Sequence, residues 1–298
     1  MRALLFPGQG SQKVGMGAEL ARTSEAARRI FEEADEVLGE RLSRLCWEGP
    51  DAELVLTANA QPAILTTSIA VLRALQERGE LVFGACAGHS LGEWSALVAA
   101  DSLRFADAVR LVRLRGEAMQ GAVPAGVGAM AALIGLAPDV ASAICVEAAQ
   151  GEVVAPANLN GASQIVIAGH KGAVERAMVL AKARGAKLAK LLAVSAPFHC
   201  ALMAPAAERL AVALSGVRVA DPRVPVVHNA DPRPNQSGAR AKALLVAQVT
   251  QPVRWEACVG ALAELSATEA LELGAGTVLA GLVKRIAPKI AVTSVERV

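Results

Sequence analysis

Short apolar runs alternate along the chain with longer stretches whose apolar residues recur at helical spacing, and glycine- or proline-bearing turns separate them. Ala3 to Phe6 is apolar and of strand length, and it stops at Pro7. A stretch rich in Ala, Glu and Arg predicts a helix over about 18–38. The Asn59-Ala60-Gln61-Pro62 loop then precedes a helix that runs to about Arg78. Leu81 to Ala87 is mostly apolar and too short for a helix, so it reads as a second strand. Glu93 to Ala100 contains good helix formers and no proline. Between them Gly88-His89-Ser90-Leu91-Gly92 forms a strand-to-helix turn with Ser90 at its apex. Phe105 to Gly121 is strongly periodic: at about 100° per residue, Phe105, Ala108, Val109, Val112 and Met119 share one arc. Arg110, Arg113 and Glu117 fall on the opposite, solvated side, whereas Arg115 projects between Ala108 and Leu111 at the edge of the apolar arc.

The pattern changes at about residue 125. Gly128–Leu136 predicts a strand, Asp139–Gln150 a helix, Val153–Leu159 and Gln164–Gly169 two strands, Gly172–Arg184 a helix and Lys187–Leu192 a strand. This order is the split βαβ of a ferredoxin-like module, of a size to be an insertion over 125–195. Gly121, Pro124 and Gly126 mark its entry and Ser195-Ala196-Pro197 its exit. Longer elements resume afterwards: a helix from Ala201, a strand at Val224–Val227 and a helix over Ala239–Val249. A helix after Pro252, a strand at Ala270–Leu273 and a last helix through Leu282 and Val283 complete the reading.

Composition narrows the function classes. The 298 residues suffice for one large domain, or one domain with an insertion, and an apolar share of 53% supplies the core. A net charge of +2 and an aromatic content of 3%, with no tyrosine, disfavour nucleic-acid binding. Five cysteines at irregular spacing, without a C-x-x-C, suggest neither a disulfide framework nor a zinc site, and a reducing cytoplasm is the simplest compartment. No run approaches the roughly 20 apolar residues of a membrane span.

The candidate chemistry starts at Ser90. Glycines two residues to either side let the backbone bend sharply and push the serine Oγ toward substrate, with amides at a helix N-terminus behind it. The Pro7-Gly8-Gln9-Gly10-Ser11-Gln12 loop lacks the P-loop spacing and its lysine, so it reads as a donor of oxyanion hydrogen bonds or as a plain turn. A serine needs a base, and the chain has four histidines. His89 lies inside the turn and fixes it; His170 follows Gly169 and reads as exposed; His228 ends an apolar strand and reads as a bonded core or edge residue. His199 follows Pro197 at the exit of the insertion, where a side chain can hang over an interdomain cleft, and is the base candidate. No acid stands out to complete a triad: Asp101, Asp221 and Asp231 have ordinary contexts, and a backbone carbonyl can orient an imidazole instead. Cys86 and Cys200 are alternative nucleophiles. An inward guanidinium at Arg115 needs an anion, either a structural carboxylate or a substrate; spacing leaves both open. A serine hydrolase and a non-catalytic binding subunit are competing readings.

Taken together, these residues resemble a known family. Phe6-Pro7-Gly8-Gln9-Gly10-Ser11-Gln12, Gly88-His89-Ser90-Leu91-Gly92-Glu93, Arg115-Gly116 with Met119-Gln120, Gly128-Ala129-Met130-Ala131-Ala132, Asn158 through Gly169, Pro197-Phe198-His199, and Gln248 with Pro252-Val253-Arg254-Trp255 are similar, in order and spacing, to malonyl-CoA:acyl carrier protein transacylases. The resemblance implies an α/β-hydrolase-like catalytic domain over 1–124 and 196–298 with the ferredoxin-like insertion between. It further implies Ser90 as acyl acceptor, His199 as base held by the main-chain carbonyl of Gln248, the amides of Gln9 and Leu91 as oxyanion hole, and Arg115 on the malonyl carboxylate. Gln61 and Asn160 match further pocket positions, and Leu91 and Phe198 resemble the malonyl-selective pattern. Trp94 stands where many members carry tyrosine. A monomeric cytoplasmic enzyme is implied, with no bound cofactor and with malonyl-CoA and an acidic acyl carrier protein as substrates. Lys187 and Lys190, or Lys284 and Arg285, could meet that protein.

Overall fold

A computed structural model describes every residue except Glu80, Ser195 and Val298; the exit residue Ser195 therefore lies outside the described residues. Among the described residues the strands are β1 (Arg2–Phe6), β2 (Ala85–Gly88), β3 (Gly128–Ile134), β4 (Val154–Leu159), β5 (Gln164–His170), β6 (Leu188–Leu191), β7 (Val226–Val227), β8 (Glu269–Leu273) and β9 (Ala291–Val295). They form two sheets. The larger has the order β7-β2-β1-β8-β9 and is parallel throughout. The smaller, β4-β5-β3-β6, is antiparallel and carries the helices Pro138–Ala149 and Lys171–Ala183 on one face. An α/β-hydrolase-like parallel sheet accompanied by a ferredoxin-like unit is the architecture.

Side-chain alternation along the central strand explains the layering. Leu4 and Phe6 point into the core beneath the helices Thr57–Arg78 and Phe105–Gln120, whereas Ala3 and Leu5 face a second core built with Trp255–Glu264 and Val278–Ile286. With both faces covered, the inner strands β1 and β2 read as nearly continuous apolar runs. The chain adds β2 and then β7 on one side of β1 before returning to place β8 on the other. Strand order thus reverses at β1, and ligands of such sheets bind outside the carboxyl ends at that point. The carboxyl ends of β1 and β2 carry the Pro7–Gln9 loop and Ser90.

Several boundaries differ from the sequence expectation. The 18–38 helix is two helices, Ala18–Thr23 and Glu25–Leu38, because Ser24 is extended and caps the second through its Oγ to the Ala27 N–H. The Asn59–Pro62 segment is not a loop: the helix begins at Thr57, and Pro62 lies within it with only one intrahelical bond forfeited. Strand β2 begins at Ala85 rather than Leu81, and Val82 is exposed. Strand β9 and the helices Leu42–Glu48 and Asp51–Leu54 were not anticipated. Arg113 is partly buried, donating to Asn59 and pairing with Glu40. Its neighbour Gly116 lets two helices touch, since a Cβ there would lie 2.6 Å from the Thr57 carbonyl oxygen.

Candidate functional site

The site is assembled where β2 turns into the helix Gly92–Ala99. Ser90 has φ of 49°, the left-handed conformation of a strained elbow. The flanking glycines are demanded by space: a Cβ on Gly88 would sit 1.9 Å from the Gly92 carbonyl carbon, and one on Gly92 2.0 Å from the Phe6 carbonyl oxygen. Any larger residue would push the elbow off β1. The backbone N–H groups of Gln9 and Leu91 have no intramolecular hydrogen-bond partner among the described residues.

His199 approaches from the loop that follows β6. Its Nε2 lies 2.7 Å from Ser90 Oγ and its Nδ1 2.8 Å from the Gln248 main-chain oxygen. A carbonyl only accepts, so Nδ1 carries the proton and Nε2 is free to accept from the serine hydroxyl. Burial, and then the neighbouring Arg115 guanidinium, push the imidazole down to about 3 from its ordinary 6.5. It is therefore neutral at pH 7.

Arg115 is 2% exposed. Its Nη1 donates to Gln61 Oε1 at 2.6 Å, and its Nη2 to Gln248 Oε1 at 3.0 Å and Ser90 Oγ at 3.2 Å. None of these partners is charged, and its Nε has no partner among the described residues. Burial lowers the guanidinium to about 10, with Glu93 acting in the opposite direction, so it stays cationic. The alternatives left open by spacing are thus narrowed: no carboxylate among the described residues is bonded to Arg115.

These groups line one cavity of about 380 Å³ between the two sheets' units. Gln9, Gln61, Ser90, Leu91, Arg115, Phe198 and His199 all contribute to its wall. Asn160 does not; its Oδ1 accepts from His89 Nε2 at 2.9 Å, bridging the elbow to the strand β4 side. Burial lowers the His89 pKa. Gln248 stands behind the wall and is fully buried. Met119, Met130 and Asn158, which lie within the motifs that carry the resemblance, also line the cavity, as do Leu192 to Val194; the last three, small or apolar residues just beyond β6, carry no sequence signal for such a role.

The other candidates lie elsewhere. His170 is partly buried rather than exposed, its Nδ1 accepting from the Val153 N–H. His228 is fully buried against Glu93. Asp101 pairs with Arg223, Asp221 accepts from the Gly238 N–H, and Asp231 pairs with Arg233 and Arg240. Cys86 is fully buried and Cys200 donates to the Pro197 carbonyl; burial raises both thiols, Cys200 to about 11, which keeps them protonated. Lys187, Lys190, Lys284 and Arg285 are exposed on two separate elements. Among the described residues no cluster of three His, Cys, Asp or Glu could hold a metal, and no helix is long and apolar enough to cross a membrane.

A serine and a histidine in hydrogen-bond contact at the carboxyl end of a parallel sheet, on a G-x-S-x-G elbow, define a protein of the α/β-hydrolase-like class with a small ferredoxin-like unit. The family model for the acyl transferase domain matches residues 3–290. The malonyl CoA-acyl carrier protein transacylase of Escherichia coli (strain K12) is 50% identical over 284 residues, 95% of this chain and 92% of the relative. That of Bacillus subtilis (strain 168) is 50% identical over 285 residues, 95% of this chain and 90% of the relative. Among solved structures, an acyl carrier protein S-malonyltransferase from Vibrio cholerae superposes with a TM-score of 0.97 at 47% identity, covering 100% of this chain and 97% of the other. A malonyl-transacylase solved in complex with a type II polyketide synthase acyl carrier protein gives 0.97 at 47% identity, with coverages of 100% and 96%. The chain belongs to the malonyl CoA-acyl carrier protein transacylase family.

Proposed function

We propose that the protein moves a malonyl group from malonyl-CoA to the phosphopantetheine thiol of an acyl carrier protein, through an ester on Ser90. The observation that carries this reading is the convergence on one cavity of Ser90 Oγ, His199 Nε2 at 2.7 Å and, at 3.2 Å, the Arg115 cation, to which no carboxylate among the described residues is bonded. Neutral His199 takes the Ser90 proton as Oγ attacks the thioester carbonyl. Arg115, whose Nη2 donates to Oγ at 3.2 Å, binds the malonate carboxylate. The unpartnered Gln9 and Leu91 amides take the charge that develops on the carbonyl oxygen. The C–S bond then breaks, the CoA sulfur leaves with the proton from His199, and the malonyl ester remains. The carrier's thiol reverses the sequence, giving its proton to His199, forming the new thioester and freeing Ser90.

The Gln248 carbonyl does the orienting that an acid performs in a Ser-His-Asp triad. Gln61 and Gln248 hold Arg115, and Phe198 and Leu91 shape the wall beside it. Asn160 holds His89. Residues 1–124 and 196–298 form the catalytic domain and 125–195 the insertion, in a monomeric cytoplasmic enzyme that uses no bound cofactor. The basic pairs Lys187 with Lys190 and Lys284 with Arg285 are the surfaces offered to an acidic carrier protein. A hydrolase reading leaves the Arg115 cation without a role.

The test is direct. Incubated with malonyl-CoA, the intact protein should gain the mass of one malonyl group, and Ser90→Ala should gain none. Folded wild-type protein that remains unmodified would overturn the mechanism.

A further inference from the structure

Glu93 is the one carboxyl enclosed within the elbow, with no exposed surface and no contact to the reacting atoms. Its Oε1 meets His228 Nδ1 at 2.6 Å, and its Oε2 accepts from the Asn229 N–H at 2.8 Å and Gln248 Nε2 at 2.8 Å. We propose that Glu93 is the positioning residue of the site, setting Gln248 and Asn229 and through them the serine, the histidine and the arginine. The proposal rests on the transacylase reading above and assigns a further residue to it.

Donor and acceptor parity supplies the argument. Asn235 Oδ1 accepts from the Ser237 N–H, so its Nδ2 faces His228 Nε2, which must accept. His228 therefore holds its proton on Nδ1, aimed at Glu93. Gln248 Oε1 accepts from Arg115, so the amide nitrogen is the atom turned toward Glu93. Every neighbour of the Glu93 carboxyl is then a donor, and only an acceptor-only group satisfies them all. From this anchor the amides reach outward. Gln248 Nε2 also lies 3.0 Å from the Ser90 carbonyl, and its main-chain oxygen holds His199. Asn229 Oδ1 accepts from the Ser90 N–H at 2.7 Å, and Asn229 Nδ2 donates to the Gly88 carbonyl at 2.8 Å. A glutamine at 93 would set N–H₂ against a donor at either oxygen. At the Oε1 position it meets the His228 Nδ1–H; at the Oε2 position it meets the Asn229 N–H, which is fixed in the backbone, and displaces the Gln248 amide, which by turning aims its own N–H₂ at Arg115.

The measurement is kcat/KM for malonyl-CoA and acetyl-CoA in parallel, on variants shown to be folded by circular dichroism. Glu93→Gln should reduce the malonyl preference about tenfold, the effect of one misdirected charge-assisted hydrogen bond. His228→Leu, which keeps the carboxyl and deletes its Oε1 donor, should shift the preference in the same direction. His228→Asn, which offers N–H₂ at the Nδ1 position, should retain it. A purely structural role would lower the melting temperature of Glu93→Gln and leave the preference intact. Wild-type preference in folded Glu93→Gln and His228→Leu would overturn the proposal while leaving the transacylase reading in place. A wild-type protein without malonyl preference would instead overturn that reading, and this one with it.

Discussion

His199 Nδ1 lies 2.8 Å from the main-chain oxygen of Gln248, so a peptide carbonyl, and no acid among the described residues, orients the imidazole beside Ser90. A carbonyl fixes the tautomer as a carboxylate would, yet it adds no negative charge to stabilise an imidazolium. Together with burial and the adjacent guanidinium, this keeps the resting histidine neutral. The consequence for mutagenesis is that acids drawn from sequence context are dispensable. Asp101→Asn, Asp221→Asn and Asp231→Asn should leave the rate of malonyl transfer unchanged in folded protein. A large loss of kcat in any of the three, measured by steady-state transfer, would mean that an acid does act on His199.

The same pair predicts the pH dependence. His199 falls from 6.5 in the unfolded chain to about 3 in the folded protein. Between those values the unfolded state binds more protons, so stability is fully present above pH 6.5 and is lost as pH falls toward 3. The slope is about 1.4 kcal/mol per pH unit for one such group, and His89, shifted in the same direction by burial, adds to it. Urea denaturation between pH 7 and 4 should show the decline, and it should shrink in His199→Ala. The acid limb of kcat/KM should likewise lie below 6.5; a limb at or above that value would contradict a buried neutral base.

Arg115 governs acyl selectivity on this reading. A bidentate charge-assisted pair is worth about 1.5–3 kcal/mol, roughly tenfold to a hundredfold. Arg115→Ala should therefore lower kcat/KM for malonyl-CoA by that factor while sparing acetyl-CoA. Arg115→Lys should not restore it, because an ammonium cannot span Gln61, Gln248 and a carboxylate together. Equal loss for both acyl groups would assign the arginine a structural role instead.

The elbow glycines can be tested for packing alone. Gly92→Ala drives a Cβ to 2.0 Å from the Phe6 carbonyl oxygen, and backbone must shift. A cost of about 1–3 kcal/mol is expected from overpacking, with loss of transfer activity as Ser90 is displaced. Gly281→Ala is the contrast: this glycine is helical with nothing within 4 Å of a new Cβ. It should stabilise by about 0.5–1 kcal/mol and leave activity alone. Chemical denaturation of the two variants gives opposite signs, or the steric account of the elbow is wrong.

Which parts of this site the sequence exposes depends on what kind of signal each part leaves. The Ser90 turn is legible because strand, glycines and helix are contiguous. Arg115 is legible as inward-facing because helical phase alone places it beside apolar residues. Asn59-Ala60-Gln61-Pro62 has turn composition and so places Gln61 in a loop, yet burial of the apolar run beyond it carries the helix back through Pro62 to Thr57. Ser24, read as one more helical position, ends a helix because extended backbone and an Oγ cap outweigh the propensity around it. Strand β9 went unseen because Ala291 to Val295 pairs only with β8 at a sheet edge and has no apolar alternation to announce it.

By itself the sequence determined the order of the strongly periodic elements, the glycines that the elbow requires and the inward aim of one cation, since each follows from local periodicity or local sterics. Only the tertiary structure decided that His199 meets a serine 109 residues away. It also decided that a backbone oxygen holds that imidazole and that Glu93 faces nothing but donors. Periodicity says which face of an element is buried but not what it is buried against. A carbonyl that every residue possesses leaves no mark in a string of side chains.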